Sequence, residues 1–198
     1  TSTDEKYGGL NASDVSITNA DDDSAGIIVT PISGLTTTEA GGTTTFTIVL
    51  SSQPTDDVAL GLSSSNTAEG TVSTSTVTFT ASDWNVPQTI TITGVDDAIG
   101  DGGIDFTIIT DAAVSTDANY GGFDADDVIV SNLDDDTTGI TVTPLIDLNT
   151  GEDGTTDTFT IVLNSQPTAD VTITLSSTDT TEGTIVTTSV TFTAANWN

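Results

Sequence analysis

The chain has 198 residues, of which 30 are Asp or Glu against one basic residue, Lys6, and its formal charge is −29. A surface of that sign repels nucleic acid and anionic membranes, so neither is an expected partner. The lack of Cys and His removes disulfides, thiol catalysis, Cys-ligated zinc and the usual general base, which argues against an enzyme.

Apolar residues make up 34 % of the chain and are regularly spaced, unlike a disordered acidic tract. Thr, Ser, Val and Ile dominate, a vocabulary of strands. Tyr7-Gly8-Gly9 reads as a turn with an aromatic plug, and Asp21-Asp22-Asp23 closes a short alternating run. One strand is predicted from Ile27 to near Thr38. Across 43–50, Phe46, Ile48 and Leu50 face inward while Thr45 and Thr47 face outward. Further strands follow at Val58–Leu62, Val77–Phe79, Ile90–Ile92, Ile104–Ile108 and Val128–Leu133. Gly41-Gly42, Gln53-Pro54, Val86-Pro87 and Gly102-Gly103 mark turns between them. Seven short strands of period 2 predict an all-β, Ig-like antiparallel sandwich.

The sequence repeats itself at an offset of 113 residues. Asp21–Asp23 matches Asp134–Asp136, Glu39 matches Glu152, and Tyr7, Phe46, Pro54 and Trp84 match Tyr120, Phe159, Pro167 and Trp197. Roughly 50 of the 85 comparable positions are identical without a gap, the signature of a tandem array. The expected division is the tail of one repeat (1–23), a complete repeat (24–136) and the front of another (137–198). With no Met and no signal-peptide pattern, the sequence reads as part of a longer or processed chain. No apolar run approaches the ~18 residues of a membrane span.

Strand parity sorts the loops. If each strand reverses the last, Glu39, Glu69, the 96–101 loop and Asp134–Asp136 gather at the pole where the last strand ends, here the far pole. Asp56, Asp57, Asp83 and Asp117 fall at the near pole, where the first strand begins, and are placed to face the triplet of a preceding repeat. Neighbouring carboxylates at ~4 Å repel by ~1 kcal/mol even in water. No basic cluster is present to offset this, and several oxygen-only donors at one pole are what calcium, with ~6–8 oxygen ligands, requires.

The plain alternative is a solvated acidic surface. It predicts acids scattered over outward strand positions, but those are mostly Thr and Ser. The spacing excludes an EF-hand. Asp96 and Asp97 form a carboxylate pair of the kind glycoside hydrolysis uses, but adjacent acids on one turn beside further acids fit metal ligation better. Trp84 and Trp197 are read as seals at the core edge rather than sugar platforms. Asn11-Ala12-Ser13 matches a glycosylation acceptor.

The Asp-Asp-Asp triplet, Glu39 within Thr-Glu-Ala-Gly-Gly, and Val95-Asp96-Asp97-Ala98-Ile99-Gly100-Asp101 before Phe106 together resemble Calx-beta domains. These are calcium-binding sandwiches of sodium–calcium exchangers, integrin subunits and very large bacterial surface proteins. The resemblance spans the whole repeat. It implies calcium ligation by Glu39, Asp96, Asp97, the carbonyl of Ile99, Asp101 and Asp134, Asp135 and Asp136, with Asp21, Asp22, Asp23 and Glu152 as the matching positions in the flanking repeats. Exchanger domains carry a further acid where this chain has Ile104, and their acid in the loop spanned here by 63–69 has no clear match. Fewer or weaker sites are implied.

The expected function is that of a calcium-loaded extender module in a repetitive adhesin or surface filament outside the cell. Neighbouring repeats, and other copies in a filament, are its expected partners, with calcium stiffening the junctions. The alternative is a carbohydrate-binding adhesin module using Trp84 or the 111–125 loop.

Overall fold

The computed structural model describes residues 1–198. It is all-β. Nine strands lie within residues 24–136: β1 (Ile27–Thr30), β2 (Leu35–Thr38), β3 (Thr43–Leu50), β4 (Val58–Ser64), β5 (Gly70–Val72), β6 (Thr76–Phe79), β7 (Gln88–Gly94), β8 (Ile104–Thr110) and β9 (Val128–Leu133). One sheet runs β1-β3-β7-β5 and the other β2-β9-β8-β4-β6. The alternation of Phe46, Ile48 and Leu50 puts all three in the core, and Leu60, Ile90, Ile92, Ile108, Val128 and Val130 meet them there. Burying each such side chain contributes about 1.5–3 kcal/mol.

The single strand expected from Ile27 to Thr38 is two. Pro31 interrupts it because it carries no amide hydrogen for a ladder. The chain turns through Gly34 at φ 75° and changes sheets, β1 pairing with β3 and β2 lying parallel to β9. A short strand the pattern did not foretell, β5, also forms on the way from β4 to β6 and joins the opposite sheet to β6. Gly70 begins it, and an added Cβ there would overlap the Phe106 ring.

The Tyr120 hydroxyl ties the β8–β9 loop to the β3–β4 loop. It donates to the Ser52 carbonyl at 2.7 Å, accepts from the Ser52 amide at 3.1 Å and pairs with the Ser52 hydroxyl at 2.9 Å. Trp84 is half-buried against the core, as expected of a seal.

Residues 137–198 contain β10 (Ile140–Thr143), β11 (Thr160–Leu163), β12 (Val171–Thr174) and β13 (Ser189–Phe192). Their pairings reproduce those of the first sandwich 113 residues on. Ile140 opposes Leu163 as Ile27 opposes Leu50, and Val171 opposes Phe192 as Val58 opposes Phe79. Residues 1–23 form no strand and are exposed.

Candidate metal centre

Three elements deliver carboxylates to the far pole. Glu39 follows β2, Asp97 sits in the β7–β8 loop, and Asp136 follows β9. One carboxylate oxygen from each lies within 4.8 Å of the others. The parallel β2–β9 pair builds this corner, since the Glu39 amide donates to the Leu133 carbonyl at 3.0 Å, and Glu39 and the triplet leave the sheet side by side. Within the loop, Asp97 Oδ1 accepts from the Ile99 amide at 2.7 Å, and the Ile99 carbonyl accepts no hydrogen bond.

Glu39 is only 2 % exposed, and its Oε2 is buried without a hydrogen-bond partner. Burial, followed by the charges of Asp134, Asp97, Glu69 and Asp101, raises its pKa from 4.5 to about 7. Asp136 is also pushed up, by desolvation first and then by Asp134, Asp135, Asp96 and Asp97. Asp134 moves the other way, because its oxygens accept from the Gly102 amide at 2.6 Å and the Asp136 amide at 2.7 Å. Asp134 therefore clasps the β7–β8 loop against the end of β9, while Glu39, Asp97 and Asp136 point oxygens at a common space. Asp96, Asp101 and Asp135 are exposed at the rim. Asp21–Asp23 and Glu152 are exposed and form no comparable group.

A buried polar support under the site was not foreseen. Asn132 is 1 % exposed. Its Oδ1 accepts from the Thr37 hydroxyl at 2.8 Å, and its Nδ2 donates to the Val95 carbonyl at 3.1 Å and to Glu69 Oε2 at 3.4 Å. It links β2 and β9 to the β4–β5 and β7–β8 loops. The signal was available in the alternation, since Val128, Val130 and Asn132 occupy successive inward positions.

Three of the near-pole acids accept hydrogen bonds within and between the near-pole loops. Asp117 accepts from the Thr55 and Asn119 amides, and Asp83 from the Thr80 amide and hydroxyl. Asp56 accepts from the Thr116 hydroxyl. Each is held below the ordinary carboxyl range by these hydrogen bonds. Such carboxylates have found their compensation, whereas Glu39 has not.

No family model and no curated protein matches the chain. Among solved structures, it is similar to the apo form of a Calx CBD1 domain, at 18 % identity and a TM-score of 0.42 over 56 % of this chain and 96 % of that one. It is also similar to the periplasmic chaperone SfaE, at 12 % and 0.42 over 74 % and 90 %. A C. elegans MSP family member matches at 17 % and 0.35 over 55 % and 96 %. The strand order and buried core given above make the fold an Ig-like β-sandwich.

Proposed function

We propose that the chain is a calcium-binding structural module of the Calx-beta kind, an extender in a repetitive extracellular adhesin or surface filament. The observation that carries this is the unpartnered, buried Oε2 of Glu39 facing Asp97 and Asp136. A buried carboxylate without a partner costs several kcal/mol unless it is protonated or meets a cation. The chain's one basic residue, Lys6, lies in the exposed 1–23 segment, so a bound cation is the remaining source of positive charge. The donors are all oxygens, which fits calcium and is a poor match for metals that prefer nitrogen or sulfur. Glu39, Asp97 and Asp136 would hold the ion, with the Ile99 carbonyl beside them. A calcium ion there supplies charge compensation and ties the β2, β7–β8 and β9 ends together.

The same loop meets the next unit. The Gln166 amide donates to the Ala98 carbonyl at 2.6 Å, one residue from Asp97. Ordering the loop around an ion therefore sets the angle at which residues 137–198 leave the sandwich, which is what an extender needs. Calorimetric titration with calcium, paired with thermal melts in calcium and in chelator, tests the reading. Calcium at 100-fold over its Kd stabilises by about 2.7 kcal/mol per independent site. A melting temperature indifferent to chelator would refute it.

A further inference from the structure

We propose that Asn132 is a positioning residue that gives the far-pole site its preference for calcium over magnesium. This rests on the calcium reading above and names what sets its selectivity. The side chain acts on the ligands through their backbone, because it reaches the roots of the segments that carry the three carboxylates. Thr37, whose hydroxyl donates to Asn132 Oδ1 at 2.8 Å, lies two residues before Glu39. Val95, whose carbonyl accepts from Asn132 Nδ2 at 3.1 Å, lies two residues before Asp97. Asn132 itself stands four residues before Asp136. One amide thereby joins three segments just before each reaches the group of Glu39, Asp97 and Asp136.

Packing holds the amide in one place. Asn132 and Thr37 are both buried. An added Cβ at Gly94, the residue before Val95, would overlap Asn132 Oδ1 and the Thr38 carbonyl, so the ends of β2, β7 and β9 meet around the amide. Its Nδ2 also donates to Glu69 Oε2 at 3.4 Å, and Glu69 is not one of the three grouped acids. In the flanking repeats the same residue types return 113 positions away, Asn19 for Asn132, Thr150 for Thr37 and Glu182 for Glu69. The outward neighbours of Asn132 do not return, since Ile129, Ser131 and Leu133 are matched by Ser16, Thr18 and Ala20. What recurs is the polar set that faces inward under the site.

Calcium takes oxygen ligands at about 2.3–2.6 Å, whereas magnesium requires about 2.0–2.1 Å in a near-octahedral shell and sheds water reluctantly. To close on magnesium, Glu39, Asp97 and Asp136 would have to move inward together. The amide fixes the separation of their roots, so the frame keeps the wider spacing and resists that contraction. Magnesium, keeping several waters and touching one or two carboxylates, gains little from the frame. Loosening the frame therefore weakens calcium and leaves magnesium nearly unchanged.

Thr37→Val keeps the shape and removes the hydroxyl, and Asn132→Ser withdraws the NH2 group from Val95 and Glu69. Calorimetric titration of the chain with calcium alone and with magnesium alone should show each variant losing about tenfold in calcium affinity and less than about twofold in magnesium affinity. Thr37→Ser, which retains the hydroxyl, should keep the native ratio. In chelator, the Glu39 amide, which donates to the Leu133 carbonyl, should exchange its hydrogen faster in Thr37→Val than in Thr37→Ser. Tyr120→Phe, a destabilising change at the opposite pole, should leave both affinities unchanged and so controls for stability alone. Equal losses for the two cations, or a calcium-to-magnesium ratio that neither variant narrows, overturns this proposal and leaves the calcium reading standing. An unsubstituted chain that binds no calcium overturns that reading and this proposal with it.

Discussion

The amide of Gln166 and the carbonyl of Ala98 are 2.6 Å apart, and they join the loop that carries Asp97 to the first turn after β11. Gly100 packs close to Thr138 and Ser165 at the same junction. The two units therefore touch through the loop that bears the acids. Gln166→Pro removes the donor, while Gln166→Ala removes only the side-chain bond from Nε2 to the Ala194 carbonyl. Small-angle scattering in calcium should show a broader distribution of particle lengths for the proline variant and an unchanged one for the alanine variant. Equal profiles would mean that the backbone bond does not set the angle.

Among the far-pole acids, position ranks the effects. Asp97→Asn and Asp136→Asn each remove a charge from the three-carboxylate group and should weaken calcium binding at least tenfold, about 1.4 kcal/mol. Asp135→Asn, at the exposed rim, should cost less, and exposed Asp124→Asn, in the β8–β9 loop, should leave affinity unchanged. Calorimetry on the four variants separates a defined site from diffuse attraction, in which all four would behave alike.

Without metal, the pH dependence of stability follows from Glu39. Its pKa in the folded chain, about 7, lies above the ordinary 4.5, so the folded state holds the proton more tightly. Stability is then greatest below the ordinary value and falls as pH rises toward 7, by up to about 3 kcal/mol. Asp136 acts in the same direction, while Asp134 opposes it only at acid pH, where its contribution is lost. Urea melts in chelator between pH 4.5 and 7.5 should show this decline, and Glu39→Gln should flatten it. Saturating calcium should reverse the slope, because the ion binds the deprotonated form.

Tyr120→Phe keeps the buried ring but strands the Ser52 amide and carbonyl. Losing a partner for buried polar groups costs about 1–3 kcal/mol. The melting temperature should drop while calcium affinity at the opposite pole stays constant. A neutral substitution would mean that water replaces the hydroxyl.

The far-pole grouping of Glu39, Asp97 and Asp136 was legible from the sequence even though two strands were not foreseen. Parity counts reversals of direction, and neither break reverses the chain. β1 and β2 both run toward the far pole, and β5 and β6 both run away from it, so each pair acts as one strand that changes sheets. Which acids would meet was not legible. Asp83, Asp117 and Asp97 look alike in sequence, and only loop geometry gives Asp83 both the amide and the hydroxyl of Thr80 and gives Asp117 the Thr55 amide from the β3–β4 loop. The inward position of Asn132 was legible in the alternation of β9, but its role was not, since that depends on Thr37, Val95 and Glu69 arriving from three other segments.

The parallel pairing of β2 with β9 has a consequence for a chain pulled from both ends. Leu35–Thr38 enters from the near pole and Val128–Leu133 leaves at the far one, side by side and in the same direction. Tension applied at the two ends of residues 24–136 draws the two strands past each other lengthwise. All the hydrogen bonds between them bear load at once, so the ladder is sheared and not unzipped bond by bond. The β1–β3 ladder is loaded in the same geometry from the near pole. Single-molecule stretching through Ser24 and Asp136 should therefore meet a higher rupture force than stretching through Thr43 and Thr93, which face each other at one end of an antiparallel pair and would peel apart.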